Sequence, residues 1–189
     1  ETNALLEGHF ILSSGLHSKQ YVQCARLLSQ PKRAEAICSS LCEKIYNNFN
    51  KIDIVLSPAI GGIVVGYEIG RQLETETIFS EREEGQLKLR RGFKIPENSN
   101  VLIVEDVITT GKSALECSRI IKENGSKLVG YACIIDRSSK GVLIKDQIVS
   151  QIKLKILTYK KDKLPEELKK ISPIKPGSRN LFKWKEDLV

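Results

Sequence analysis

The residues with the clearest chemical potential lie in one stretch, Val101-Leu102-Ile103-Val104-Glu105-Asp106-Val107-Ile108-Thr109-Thr110-Gly111-Lys112-Ser113. Four apolar residues in a row suit a buried strand. The strand ends in two adjacent carboxylates, and a short loop of hydroxyls, one glycine and one lysine leads into a helix. Backbone N–H groups at such a helix start cradle a phosphate, helped by the helix dipole. Gly111 allows close backbone approach, and Thr109, Thr110 and Ser113 offer hydroxyls. Two carboxylates beside a phosphate would repel it, unless they bind sugar hydroxyls or help hold a Mg²⁺ that bridges to phosphate. The stretch is not a Walker loop, because only the final Gly-Lys-Ser agrees, and it is not a Gly-x-Gly-x-x-Gly dinucleotide loop. An ordinary strand–loop–helix corner with solvated acids is the plain alternative. Acids, hydroxyls and glycine in that order argue against it.

Three further groups have chemical possibilities of their own. In Ser57-Pro58-Ala59-Ile60-Gly61-Gly62, two glycines expose N–H groups to an anion without side-chain obstruction. A tight turn before a helix explains the same residues equally well. Arg82, Lys88, Arg90, Arg91 and Lys94 form a cationic segment suited to a departing polyanion. Glu81, Glu83 and Glu84 are interleaved with them, so charge pattern alone favours a solvated hairpin. Arg137, in Asp136-Arg137-Ser138, could fork onto a carboxylate or form a surface salt bridge, for instance with Asp136.

The Val101–Ser113 stretch resembles the phosphoribosyl pyrophosphate (PRPP) signature of type I phosphoribosyltransferases. Within them, other segments resemble orotate phosphoribosyltransferases: His9–Ser18 with Tyr21-Val22-Gln23-Cys24 as an N-terminal hood, and Ser57–Gly62 as the pyrophosphate loop. Residues 79–93 resemble the mobile catalytic loop, Asp136–Ser138 the base-binding strand end, and Lys175–Arg179 also fits. The resemblance runs from about Leu6 to Arg179. It implies Mg²⁺-dependent transfer of phosphoribose from PRPP to orotate, giving orotidine 5′-monophosphate and pyrophosphate in pyrimidine synthesis. It implies Glu105, Asp106, Arg82, Lys88, Arg90 and Arg91 as catalytic residues, Glu105–Ser113 as the PRPP site, and Thr109 with Arg137 as the orotate site. It also implies a homodimer whose 82–91 loop reaches the neighbouring site and closes against water.

Departures from the family pattern bear on these expectations. Ser13 stands where many members carry a lysine, and Ile60-Gly61-Gly62 lacks another. Lys19 or Arg26 are candidates to compensate. The mobile loop contains no histidine, which puts proton donation by such a residue in doubt. His17 lies in the hood, near the base or simply as a polar residue. A purine-specific phosphoribosyltransferase, or a regulatory protein that senses PRPP with the same fold, would share the PRPP loop. No helix-turn-helix or aromatic RNA platform supports a nucleic-acid partner.

These residues need a frame. Short strands are expected at His9–Leu12 and Gln20–Cys24, around the turn residues Ser13-Ser14-Gly15. Pro31 opens a helix to about Asn48, with Ala34, Ile37, Leu41 and Ile45 at helical spacing. Strands at Ile52–Leu56, Thr77–Phe79, Val101–Val104 and Val129–Ile135 alternate with helices at Ile63–Leu73 and Ser113–Asn124, the latter closed by Gly125. That order predicts an α/β fold with a mainly parallel central sheet flanked by helices. Ligands of such folds bind beyond the carboxyl ends of the strands, after Leu56, Phe79, Val104 and Ile135. One domain is expected: a hood over about residues 1–30, a core over about 31–160, and a peripheral basic tail over about 161–189.

The 189 residues are 28% charged and 41% hydrophobic, a globular composition. No apolar run approaches a membrane span. The start, Glu1-Thr2-Asn3, has no signal-peptide pattern and no initiator Met, as expected of a trimmed N-terminus. Five scattered cysteines, Cys24, Cys38, Cys42, Cys117 and Cys133, suit buried thiols in a reducing cytoplasm rather than a disulfide framework or a metal pair. The net charge of +7 favours anionic partners. From residue 151 onward, 11 basic residues face 5 acidic ones, giving +6; residues 1–150 carry 19 against 18. The PRPP site must therefore work through placed amides, Mg²⁺ and a few loop cations in a nearly neutral body.

Overall fold

The elements form where local pattern favours them, in a computed structural model that describes residues 4–12, 14–138 and 141–176. In chain order they are β1 (Leu5–Ile11), β2 (His17–Val22), α1 (Cys24–Leu28), α2 (Pro31–Asn48), β3 (Ile54–Pro58), α3 (Gly61–Gln72) and β4 (Glu76–Glu83). Then come β5 (Gln86–Leu89), β6 (Asn100–Ile108), α4 (Lys112–Glu123), β7 (Lys127–Asp136), β8 (Ile148–Lys153), β9 (Thr158–Tyr159) and α5 (Glu166–Lys169). The chain divides into two compact units, with breaks after Gln23 and Lys155.

The larger unit, Cys24–Lys155, is built on a six-stranded sheet of order β5-β4-β3-β6-β7-β8. All its pairings are parallel except β4 with β5, so the expected α/β architecture is present. Strand side chains alternate between two apolar layers, as a sheet covered on both faces requires. Ile54, Leu56, Val101, Ile103, Tyr131 and Cys133 pack with Ala114, Cys117, Ile120 and Ile121 of α4. On the opposite face α2 packs on α3, burying Leu41, Ile45, Val65 and Ile69 completely. Complete burial of each such side chain stabilises the fold by about 1.5–3 kcal/mol. Pro31 stands in the first turn of α2, and Gly125 (φ +67°) follows the α4 C-cap, where a left-handed residue ends a helix.

Most strand ends shift by a few residues, and the differences near the crevice and at the sheet edges matter most. β6 continues past Val104 through Ile108, because β7 extends its ladder as far as Ile108↔Asp136. Glu105 and Asp106 therefore sit within a strand rather than after one. α3 begins at Gly61 rather than Ile63, which turns the two glycines into its first turn. β5 and β8 occupy the sheet edges, where partial exposure weakens the apolar pattern that marks interior strands.

In the smaller unit, β1, β2 and β9 form an antiparallel sheet. His9 and His17 are buried, with Nε2 of His9 2.6 Å from Nδ1 of His17, and His9 Nδ1 lies 2.8 Å from the Ile171 carbonyl. The Ile174 N–H donates to the His9 carbonyl at 2.7 Å, and the Ile11 N–H to the Ile174 carbonyl at 2.8 Å. Leu168 of α5 is fully buried. Residues 161–176 are thus part of this unit and not the peripheral tail expected from their lysines. Charge on the surrounding residues hides in the sequence both the apolar anchor Leu168 and the backbone pairing of the exposed Ile174. Ser13 and the Gly177-Ser178-Arg179 end of the C-terminal motif lie outside the described residues.

Candidate active site

Strand order fixes where a ligand can bind. From β3 the chain crosses through α3 to β4 on one side. From β6 it crosses through α4 to β7 on the other side. The order therefore reverses between β3 and β6, and their carboxyl ends open a crevice at this switch point. Both Ser57–Gly62 and Glu105–Ser113 emerge there.

Ser57 and Pro58 end β3, the Ala59–Ile60 peptide is cis, and Gly61 and Gly62 start α3. Ala59 N–H donates to the Ser80 carbonyl at 2.8 Å, which ties this link to β4. A Cβ on Gly61 would lie 2.7 and 2.8 Å from the two Asp106 carboxylate oxygens. The two segments therefore meet at that point, and glycine provides the clearance.

Glu105 and Asp106 point into a largely desolvated environment. Burial, then the adjacent Asp106, pushes the Glu105 carboxyl up to about 8, against a hydrogen bond from the Ala114 N–H of α4. Burial likewise raises Asp106, whose Oδ1 accepts from the Val107 N–H at 2.9 Å. Uncompensated acids of this kind favour a partner that brings hydroxyl donors or positive charge. Their hard oxygens fit a divalent cation. Among the described residues, no group of three or more His, Cys, Asp or Glu could hold a metal ion. A Mg²⁺ at this place would therefore take most of its ligands from substrate and water.

Thr109 and Thr110 are exposed beyond β6, Gly111 is the left-handed N-cap of α4 (φ +77°), and Lys112 and Ser113 open the helix. A Cβ on Gly111 would lie 2.7 Å from Ile144, so this glycine is required by both conformation and close approach. Leu143 N–H donates to the Thr110 carbonyl at 2.9 Å. The segment around Leu143 and Ile144 supports the loop from behind, a role that the sequence pattern did not mark. Arg137 follows β7, and its N–H donates to the Ile108 carbonyl at 2.8 Å, which sets it beside Thr109. Asp136 pairs with Lys153 at 3.3 Å. Burial would raise the Asp136 carboxyl, but hydrogen bonds from Ser138 and Lys153 outweigh it and hold it below the usual range.

Of the expected loop cations, Arg82 and Lys88 lie on the β-hairpin β4–β5, and Arg90, Arg91 and Lys94 follow it. Lys88 pairs with Glu83 at 2.8 Å, Arg90 with Glu83 at 3.4 Å, and Arg82 with Glu116 at 3.1 Å. Arg91 forms a two-pronged bond to Glu81 at 2.7 and 2.9 Å, lies over the Phe79 ring at 5.7 Å, and holds the Glu81 carboxyl below its usual range. Lys19, in the smaller unit, is paired with Glu167. All five cysteines are free and buried, and burial raises Cys24 and Cys117 to about 12. They are inert structural thiols, as expected.

Comparison with known proteins converges on one family. Residues 25–163 match the phosphoribosyl transferase domain. The orotate phosphoribosyltransferase of Methylorubrum extorquens is 50% identical over 95% of this chain and 92% of its own. That of Caldicellulosiruptor saccharolyticus is 48% identical over 96% and 94%. Among solved structures, orotate phosphoribosyltransferase from Aeropyrum pernix superposes with a TM-score of 0.71 at 24% identity, covering 82% of this chain and 90% of that one. Adenine phosphoribosyltransferase from Thermoanaerobacter pseudethanolicus reaches 0.62 at 16% identity, over 71% and 88%. The fold alone is therefore shared by enzymes for different bases, whereas these two relatives near 50% identity are both orotate phosphoribosyltransferases, and the chain belongs to the orotate phosphoribosyltransferase family.

Proposed function

We propose that this protein transfers the phosphoribosyl group of PRPP to orotate with Mg²⁺, releasing pyrophosphate and forming orotidine 5′-monophosphate. The observation that carries this reading is the half-buried Glu105–Asp106 pair at the switch point, faced by Gly61 and by the start of α4, in a chain about half identical to orotate phosphoribosyltransferases. In the reaction the ribose–pyrophosphate bond breaks and a ribose–base bond forms at the same carbon. The sugar becomes cationic while a polyanion leaves.

Position supports each proposed role. The amides of Thr110–Ser113, at the positive end of α4, hold the 5′-phosphate. The amides of Gly61 and Gly62, at the start of α3, receive the pyrophosphate with Ser57–Ile60 behind them. Glu105 and Asp106 fix the ribose hydroxyls, and the arriving positive charge of the sugar and Mg²⁺ draws them into their ionised forms, whose charge in turn favours the cationic sugar. Bound Mg²⁺ supplies charge neutralisation on the leaving group. Arg137 and Thr109 hold orotate through its carboxylate. Lys88, Arg90 and Arg91 form the cationic lid over the leaving group, on a hairpin whose stem includes Arg82, and the present carboxylate partners of Lys88, Arg90 and Arg91 yield to the polyanion. Closure keeps water from the ribosyl carbon.

A homodimer with an exchanged 82–91 loop belongs to this proposal. Ile60, Val64 and Tyr67 support it, being 72%, 50% and 65% exposed along one side of α3 beside the pyrophosphate loop. A cytoplasmic location is supported by the five free thiols. No helix among the described residues is long and apolar enough to cross a membrane. The test mixes protein, orotate, PRPP and Mg²⁺ and follows loss of orotate absorbance, with adenine, guanine and hypoxanthine as competing bases. Orotate consumption that these bases do not inhibit is expected; turnover of a purine without orotate would refute the assignment.

A further inference from the structure

We infer that Glu116 is a positioning residue: through Arg82 it fastens the β4–β5 hairpin to α4, so that Arg82 sets where Arg90 and Arg91 stand instead of touching pyrophosphate itself. This rests on the phosphoribosyl-transfer reading above and divides the cationic segment into two parts with different tasks.

The stem is fixed. Arg82 Nη1 donates to Glu116 Oε2 at 3.1 Å and also to the Gly85 carbonyl, and Nη2 donates to Oε1 at 3.4 Å. Glu116 Oε2 further accepts the Leu87 N–H at 3.1 Å. β5 is the edge strand of the sheet, so this carboxylate satisfies one of its outward donors. Glu116 thus holds both strands of the hairpin, and Arg82 holds its turn. The next residue of α4, Cys117, lies with its Sγ 3.3 Å from Ser80 Oγ, giving a second, buried attachment to β4. The Glu116 and Arg82 side chains are only 16% and 30% exposed. α4 begins just after Gly111, so the helix that carries the phosphate-binding loop is the one that holds the hairpin.

The arm is different. Arg90 and Arg91 are 51% and 62% exposed, and their partners Glu83 and Glu81 both lie on β4. Exposed pairs of this kind are weak and yield to a competing polyanion. Arg91 is also left-handed (φ +56°) and precedes Gly92 (φ +78°), so the arm is a local turn that can change without moving the stem. Arg82, with three acceptor atoms already engaged in a half-buried clamp, is the cation least able to leave. Sequence pattern marked Arg82 as one of five equivalent cations because Glu116 lies 34 residues away.

The experiment compares R82A, E116A, the double variant R82A/E116A and E116Q in steady-state turnover of orotate at varied PRPP. R82A and E116A are expected to lower kcat by a similar factor, on the order of fivefold to tenfold, with the double variant no worse than either. The KM for orotate stays unchanged. E116Q keeps an acceptor for the Leu87 N–H and one for Arg82, and recovers most of the loss. Hydrogen exchange at the Leu87 amide is expected to quicken in both R82A and E116A, while the amides of Val101–Val104 stay protected. R82A more than tenfold below E116A, or an additive double variant, would assign Arg82 to the pyrophosphate and overturn the inference. Unchanged Leu87 exchange in E116A would overturn it too. If wild-type protein consumes no orotate, the functional reading fails, and the exchange measurement still decides whether Glu116 anchors the hairpin.

Discussion

Replacing Gly61 by alanine probes the crevice with a single added atom. The new Cβ would lie 2.7 and 2.8 Å from the Asp106 carboxylate oxygens and 2.9 Å from its Cγ. A relaxed carbon–oxygen contact is about 3.3 Å or longer, so the carboxylate must withdraw by roughly 0.5 Å. The backbone has no objection: Gly61 is the first residue of α3 and is absent from the left-handed conformations. Alanine is favoured over glycine in helices by up to about 1 kcal/mol, which offsets part of the local contact. Stability should therefore change by less than about 1 kcal/mol. Catalysis should not be spared, because a misplacement near 1 Å costs about a hundredfold, and half of that about tenfold. The assays are orotate consumption at varied PRPP and a thermal melt. A kcat/KM at least tenfold below wild type with an unchanged Tm is expected. Wild-type kcat/KM would show that the reaction does not depend on where Asp106 stands, and would refute the role given to the meeting of these two segments.

Other outcomes follow from the same geometry. Glu105, held near 8 against an ordinary 4.5, keeps a proton in the folded protein that the unfolded chain releases, so ligand-free stability should fall as pH rises through that window. The slope for this group is at most about 1.4 kcal/mol per pH unit, and E105Q should flatten it in denaturant melts at several pH values; equal slopes in both proteins would contradict it. Gly111→Ala combines a φ of +77° with a 2.7 Å approach to Ile144, and should destabilise by about 2 kcal/mol or more, of which I144A restores only the contact part. Full recovery in that double variant would mean that the left-handed backbone costs nothing. Arg91→Ala removes an exposed pair and should leave Tm nearly unchanged while turnover drops; a lower Tm with normal turnover would make the hairpin a purely structural surface.

Much of the site was legible because its chemistry is local. Glu105 to Ser113 is one uninterrupted strand–loop–helix corner, so residue order alone marked it as a candidate, although its two acids lie inside β6 rather than beyond it. The interior strands were equally plain, since burial on both faces makes them apolar throughout, as in the fully buried Val101–Val104. What escaped depends on contacts between distant residues. Glu116 looks like any helical glutamate until Arg82 and Leu87 fold onto it, and Ile144 gains meaning only beneath Gly111. β8 is an edge strand with an exposed Ile152. The basic C-terminal stretch read as peripheral because lysines surround Leu168 and Ile174; burial of Leu168 and backbone pairing of the exposed Ile174 bind residues 161–176 into the smaller unit. The net charge pointed toward this stretch, whereas the candidate site lies in the nearly neutral part of the chain.

The most direct test of the central claim measures orotate turnover by wild-type protein and Asp106→Asn side by side, with melting curves for both. Wild type should consume orotate only when PRPP and Mg²⁺ are both present, and Asp106→Asn should lose at least about a hundredfold in kcat with the same Tm. An Asp106→Asn variant as active as wild type, or a wild type that leaves orotate untouched while converting another base, would contradict the account.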